Sequence, residues 1–356
     1  MKAALIGPSQ SGKSTLFSAI SGKAPAPSGA TRLEEAVVAV PDTRLDWLTA
    51  LYKPKSTVRA SIDCLDLPGV SFLDEPGRSS ARRLISQVKN SDMFVLVVRS
   101  FKNEAVPPYR SEINPARDIR ELQVEFILTD LEQVTTRIEK LEKQLKLASK
   151  TKAQDEIELA VQLKLQAVLE EERPASAAGL SEQELEPVRS LGLLTLKPLM
   201  VVVNVGEDEL TRKFDFSEWL DSSIPVLTVC AKLEHELAQL DQQSRIEFMT
   251  DLGIQESAAD RFVASCYAAM GLISFLTVGE DEVRAWPIRR GTSALDAAGK
   301  VHSDIRRGFI RAETMAYADL HTLGDEKAVK AAGKMRLEGK TYIVQDGDII
   351  NYRFNV

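Results

Sequence analysis

Short apolar runs alternate along the chain with longer segments of helical periodicity. Each run has four or five residues, which is the length of a buried strand. The runs lie at 3–6, 36–40, 62–66, 94–98, 199–203 and 226–229. The run at 94–98 is continuously apolar, which is typical of a parallel strand that is covered on both faces. The pattern therefore predicts an α/β fold with a mostly parallel sheet.

A different pattern lies between the fourth and fifth runs. From Ile119 to Leu145 the apolar residues recur at alternating steps of three and four, the spacing of a long amphipathic helix with coiled-coil character. Residues 148–155 are polar, and helical spacing resumes from Ile157 to Val168. We predict a helical hairpin at 119–194, inserted into a discontinuous α/β domain at 1–118 and 195–278. Its charged faces are expected to be mostly solvated, with a docking site for a partner as the alternative.

The pattern changes again at Gly279. Residues 283–288, 341–344 and 349–354 have the composition of strands, and Ser293 opens a short helical pattern. Residues 345–348 carry the Asp-Gly chemistry of a tight turn. The segment 279–356 is therefore expected to form a small α+β, β-grasp-like domain.

The first apolar run leads into the clearest candidate for chemistry. The spacing G-x-x-x-x-G-K-S-T, with a strand before it and a helix after it, is that of a phosphate-binding loop. The predicted nucleotide contacts are Gly7, Pro8, Ser9, Gln10, Ser11, Gly12, Lys13, Ser14 and Thr15. The glycines allow successive backbone N–H groups to converge on a phosphate chain at a helix N-terminus. Lys13 is the expected catalytic cation, and the Ser14 hydroxyl is an expected ligand of Mg²⁺.

Two further positions are candidates for the metal and the γ-phosphate. Asp66 ends a strand and begins a D-x-x-G motif, so it is expected to hold Mg²⁺, and the N–H of Gly69 to sense the γ-phosphate. In phosphate-loop enzymes the first mobile switch lies in the position of the Pro- and Gly-rich loop at 24–29. Thr31 follows this loop and is a third candidate metal ligand. A local turn role is the alternative for Thr31, and Thr43 is less well placed.

The residue after Gly69 bears on the rate of hydrolysis. Ras-like enzymes have a Gln there that orients the attacking water. Here the residues are Val70, Ser71 and Phe72, and none of these side chains can take that role. We expect slow turnover with the water held by the backbone, another loop or a partner, or else no catalysis.

Two loops are candidates for contact with the base. Asn204, Val205 and Glu207 stand where GTPases have N-K-x-D, and Cys230, Ala231 and Lys232 resemble the S-A-K loop. The carboxylate of the longer Glu is expected to fit guanine N1–H and N2–H poorly. The sequence therefore predicts a loss of selectivity for guanine.

Composition narrows the class of protein. The net charge of −7 argues against indiscriminate nucleic-acid binding, and the three cysteines are too dispersed to indicate disulfides or a metal cluster. No apolar run has the length of a membrane span, and the chain opens directly in a strand. We expect a cytoplasmic protein without a membrane contact.

Taken together, these motifs resemble the YchF-type Obg-like ATPases, a translation-factor-related group of phosphate-loop proteins. The stretches 285–292, 308–314, 339–348 and 353–356 are similar to the TGS domain of that family. The resemblance implies nucleotide hydrolysis with ATP accepted and favoured over GTP, a hydrophobic residue in place of the catalytic Gln, and association with the ribosome. It leaves contact with rRNA or tRNA open, and a monomer is expected.

The chain also departs from the pattern of the family. Gln10 replaces an Asn linked to K⁺ in related enzymes, which puts K⁺ activation in question. The segments 29–35 and 71–77 differ from the switches of the family, so we interpret the chain as a divergent paralogue. A nucleotide-gated binding module with little turnover and an ordinary GTPase remain the alternative functions.

Overall fold

The computed structural model describes residues 1–24, 32–146, 151–251, 254 and 256–355. The strands are β1 (Lys2–Ile6), β2 (Glu34–Ala39), β3 (Ser56–Val58), β4 (Ser61–Asp66), β5 (Met93–Arg99), β6 (Leu199–Asn204), β7 (Val226–Val229), β8 (Leu272–Thr277), β9 (Glu282–Arg289), β10 (Phe309–Ala316), β11 (Arg336–Glu338) and β12 (Asp348–Phe354). The helices are α1 (Lys13–Ser21), α2 (Thr43–Tyr52), α3 (Glu75–Gln87), α4 (Pro115–Leu145), α5 (Lys152–Glu170), α6 (Glu182–Val188), α7 (Ala231–Gln239), α8 (Gln242–Asp251), α9 (Ala258–Ala269), α10 (Ala294–Val301), α11 (Ser303–Arg307), α12 (Tyr317–Leu323) and α13 (Glu326–Ala331). Short 3₁₀ turns lie at Tyr109–Ser111, Ala175–Ala178, Arg189–Leu191, Leu194–Leu196 and Glu207–Glu209.

The first sheet has the strand order β2-β4-β1-β5-β6-β7. Strand β1 is parallel to both β4 and β5, and the parallel pairing continues through β6 to β7. All seven residues of β5 are buried, as expected for a central strand with both faces covered. The carboxyl ends of these strands therefore meet at one edge, where the candidate site residues lie.

The helices α4 and α5, here called the arm, are built on the long helix α4. α4 has 31 residues, and its N-cap Asn114 accepts a hydrogen bond from the backbone N–H of Arg117, with Pro115 in the first turn. Its second half packs against α5 in a separate apolar core, which contains Ile127, Val134, Ile138, Val161, Leu165 and Leu169. The predicted helical hairpin is confirmed.

Asp130 of α4 fixes the return of the chain to the sheet. Its carboxylate is fully buried. It accepts hydrogen bonds from the backbone N–H groups of Leu194 and Thr195 and from the Thr195 hydroxyl, at 2.6 to 2.8 Å. A buried carboxylate needs such donors, and these hold the segment that precedes β6 against α4.

The second sheet has the strand order β11-β10-β12-β8-β9-β3. Strands β8 and β12 are parallel, whereas β10 is antiparallel to both β11 and β12. The short β3 pairs in parallel with β9, from Ser56 with Glu282 to Val58 with Arg284. Residues 341–344, predicted to be a strand, form a turn with a single bridge between Ser293 and Ile343.

The chain divides by contacts into two units. One contains Met1–Ala36 and Asp63–Ala258, and the other contains Val37–Ile62 and Ala259–Val356. The second unit thus includes α2 and β3 and begins earlier than residue 279. The three-part division made from sequence stays a prediction. No helix among the described residues has the length and hydropathy required to cross a lipid bilayer.

Candidate nucleotide-binding site

The loop between β1 and α1 depends on its two glycines. Gly12 has a φ of 83°, and a Cβ there would meet Asn204 Nδ2 at 2.0 Å. A Cβ on Gly7 would meet the carbonyl oxygen of Val97 at 2.2 Å. Gln10 also has a positive φ, 64°. These positions make the tight turn that brings successive N–H groups toward one point.

Lys13 and Asp66 meet at the edge of the sheet. Lys13 Nζ lies 2.9 Å from Asp66 Oδ1, and each side chain is only 5% exposed. Asp66 Oδ1 is also without a partner at hydrogen-bond geometry among the described residues, so the contact is an ion pair by distance. Parallel strands end at one edge, and this brings residues distant in sequence into a single site.

The D-x-x-G segment lies against the phosphate-binding loop. The N–H of Val70 donates to the carbonyl of Gly7 at 3.1 Å, and the N–H of Ser9 donates to the carbonyl of Val70 at 3.2 Å. A Cβ on Gly69 would meet Ser9 Cα at 2.6 Å. Only glycine permits this approach, and the Gly69 backbone therefore lies beside the loop.

The Asn204 side chain connects the loop to α7. Its Nδ2 donates to the carbonyl of Ser11 at 3.0 Å, and its Oδ1 accepts from the N–H of Ala231 at 3.0 Å. The side chain is buried, so it positions the loop. Val205 and Ala231, which were predicted nucleotide contacts, are also buried.

Glu207 and Lys232 form an exposed ion pair near the end of β6. Lys232 Nζ donates to Glu207 Oε1 at 3.0 Å, and the hydrogen bond and charge of Glu207 raise the pKa of Lys232. Cys230 caps α7, and burial raises the pKa of its thiol. The carboxylate predicted to face the base is thus paired with a cation of the neighbouring loop.

The donors present suit Mg²⁺. This ion prefers oxygen ligands and usually takes one or two protein ligands together with waters and phosphate oxygens. The buried Asp66 Oδ1, which faces the Lys13 ammonium, accepts no hydrogen bond from the described residues, and Ser14 follows Lys13 in the first turn of α1. Thr31 lies outside the described residues.

Other polar residues near the site were missed by the sequence analysis. Tyr109 and Arg110 contact the main chain of Phe72, three residues after Gly69. Arg99, at the end of β5, is 5% exposed and donates to backbone carbonyls of residues 101–107. Burial lowers the pKa of Arg99. No local motif marks these residues, because their roles depend on contacts made only in the fold.

The chain is similar to known proteins over its whole length. The family described as "50S ribosome-binding GTPase" matches residues 2–146, and YchF-GTPase_C, described as "Protein of unknown function (DUF933)", matches residues 272–355. The Ribosome-binding ATPase YchF of Bacillus subtilis (strain 168) is 38% identical over 372 residues, with 100% of both chains covered. Obg-like ATPase 1 of Oryza sativa subsp. japonica is 35% identical, with 100% of this chain and 92% of that protein covered.

A solved structure gives the same fold. The Schizosaccharomyces pombe YchF GTPase superposes with a TM-score of 0.86 at 32% identity, and the match covers 99% of this chain and 97% of that one. The α/β fold with a phosphate-binding loop, inserted helices and a C-terminal α+β part is confirmed by this match.

Proposed function

The chain belongs to the YchF family of Obg-like ATPases, and we propose that it is a slow, Mg²⁺-dependent triphosphatase that favours ATP over GTP. The observation that carries this proposal is the contact between Lys13, which directly follows the glycine-dependent loop, and Asp66 at the end of β4. A cation for the outer phosphates and a carboxylate for the metal are then side by side. This arrangement suits the cleavage of a terminal phosphoryl group.

Catalysis would consist of positioning and charge neutralisation. The backbone N–H groups of the loop and the Lys13 ammonium offset charge on the phosphates, and Ser14 and Asp66 are the residues that would hold Mg²⁺. The bound ion would supply further neutralisation of the phosphate charge. The aliphatic side chain of Val70 is buried and has no group that could orient water, which supports slow turnover.

The cellular role is proposed from the relatives. Several of them are named Ribosome-binding ATPase, and we infer that this chain is a nucleotide-controlled switch on the ribosome. The second candidate is a nucleotide-gated binding module with little turnover. Val70, Ser71 and Phe72 favour it, because they offer no side chain for the attacking water.

A nucleotide titration and a phosphate-release assay test these proposals. Wild type should bind ATP with Mg²⁺ and release phosphate slowly, and Lys13→Ala should lose release. Equal rates for the two proteins would refute the assigned site. Tight ATP binding with no measurable release would favour the binding module, and co-sedimentation with ribosomes that is the same with and without nucleotide would refute the switch.

A further inference from the structure

The arm helix α4 belongs to two apolar cores. Ile119, Leu122 and Phe126, in its first turns, lie in the same buried cluster as Val70 and Phe72 of the D-x-x-G segment. Its later turns belong to the separate core shared with α5. A single continuous helix thus connects the core around the D-x-x-G segment with the core that α4 shares with α5.

Two acidic residues on α4 contact arginines of α3 and of the 3₁₀ turn at Tyr109–Ser111. Glu121 Oε1 lies 2.6 Å from Arg110 Nη2. One turn later, Glu125 is 3% exposed and accepts a hydrogen bond from Arg78 Nη1 of α3 at 2.8 Å, with Arg82 Nε at 3.6 Å. A buried carboxylate that faces two guanidinium groups is well neutralised, so α3 is held against α4 by charge as well as by packing.

Tyr109 and Arg110 hold both main-chain groups of Phe72. The Phe72 N–H donates to the Tyr109 hydroxyl at 3.0 Å, and Arg110 Nη2 donates to the Phe72 carbonyl at 3.3 Å. Arg110 and Ser111 have φ values of 51° and 65°. These values lie in the left-handed region, which is unfavourable for residues other than glycine. Such a conformation is retained where surrounding contacts fix it.

We propose that Tyr109, Arg110 and Glu121 are positioning residues for hydrolysis, which fix the Gly69–Phe72 backbone on the first turns of α4. The inference rests on the proposed function. Val70, two residues before Phe72, exchanges backbone hydrogen bonds with Gly7 and Ser9 of the loop. A displacement of Phe72 would therefore displace the Gly69 N–H relative to the γ-phosphate. The missing water-orienting side chain makes the position of this backbone more important for the reaction.

The test is a comparison of full-length variants. Single-turnover hydrolysis of ATP and nucleotide affinity are measured for wild type, Tyr109→Phe, Arg110→Gln, Arg110→Lys and Glu121→Gln. Tyr109→Phe leaves the Phe72 N–H unpaired and should slow hydrolysis by about tenfold, the order expected for one buried hydrogen bond. Affinity for ATP should change by less than about threefold. Arg110→Lys should recover part of the rate lost in Arg110→Gln.

The control is Arg137→Gln, which removes a two-contact ion pair with Glu158 at 2.6 and 2.7 Å in the arm. It should leave the rate unchanged. Normal rates in Tyr109→Phe and Arg110→Gln would overturn the inference, as would losses of rate and affinity in equal proportion. Failure of wild type to bind any purine triphosphate would instead refute the proposed function.

Hydrogen exchange gives a readout that does not need turnover. Nucleotide should protect the amides of residues 69–73 in wild type and in Arg137→Gln. The protection should be smaller in Tyr109→Phe by about tenfold, again the order of one hydrogen bond. Equal protection in all three proteins would contradict the positioning role.

Discussion

The Lys13 ammonium lies 2.9 Å from Asp66 Oδ1, and water reaches only 5% of either side chain. Removal of one member of a buried ion pair leaves an uncompensated charge, whereas removal of both can be nearly neutral. Stability and activity should therefore respond differently to single and double substitutions at this pair.

Lys13→Met should lower the free energy of unfolding by about 3 kcal/mol, the order measured for broken buried pairs, and abolish phosphate release. The double variant Lys13→Met/Asp66→Asn should regain most of the stability and none of the activity. Denaturant unfolding and phosphate release measure the two effects. A double variant that is less stable than Lys13→Met would contradict this expectation. It would show that the unpaired Asp66 carboxylate is not the cause of the lost stability.

Base selectivity should depend on the Lys232–Glu207 pair. Lys232→Met frees the Glu207 carboxylate, which can then accept from guanine N1–H and N2–H. We expect the ratio of the Kd for GTP to the Kd for ATP to fall by about three- to tenfold, or up to about 1.4 kcal/mol. Competition binding measures it. Glu236→Gln is the matched control, because Glu236 is the more distant partner of Lys232, at 3.9 Å. An unchanged ratio in Lys232→Met would show that the ion pair does not control base selectivity.

ATP binding should be weakened less by removal of the Asn204 amide than by its replacement with a carboxylate. Asn204→Asp retains an acceptor for the Ala231 N–H but turns a carboxylate oxygen toward the carbonyl of Ser11, which now accepts from Nδ2 at 3.0 Å. Asn204→Ala removes two hydrogen bonds without adding repulsion. We expect Asn204→Asp to weaken ATP binding by at least about tenfold and Asn204→Ala to weaken it less. Calorimetric titration would show the reverse order if the amide served mainly as an acceptor.

Stability should fall in alkaline solution. Burial raises the pKa of Cys64 from 9.0 to about 12, with a smaller contribution from Asp63, and burial raises that of Tyr267 from 10.0 to about 12. The unfolded state loses these protons first, so it binds fewer protons and the free energy of unfolding decreases as pH rises from 9 toward 12. Below pH 9 these groups contribute no dependence. Calorimetry on wild type and Cys64→Ala should show a shallower decrease in the variant above pH 9, and equal slopes would exclude Cys64 as a contributor.

Local patterns predicted the parts of the site that are continuous in sequence. The loop at residues 7–15 was identified because its glycine spacing and its strand–loop–helix setting lie within about twenty residues. Asp66 was identified as a metal ligand because it ends an apolar strand and begins a D-x-x-G motif. The clamp made by Tyr109 on Phe72 could not be predicted, because it joins residues 37 positions apart that share no motif.

The same limit applied to the second sheet. The strand β10 was missed because its pattern is broken by an irregular register between Phe309 and Arg311, and because polar residues occupy its open face. Residues 341–344 are as apolar as a strand, but Tyr342 and Val344 enter the core from a turn. Apolar composition indicated burial correctly there and secondary structure incorrectly.

The parallel pairing of β3 with β9 has a consequence for synthesis of the chain. Lys55, just before β3, forms its ion pair with Asp281, 226 positions later. At about 5–20 residues per second, the early segment would be translated about 10–45 s before its partner strand. A nascent chain halted shortly after α9 would therefore still present β3 with an unfilled edge, open to chaperones and proteases.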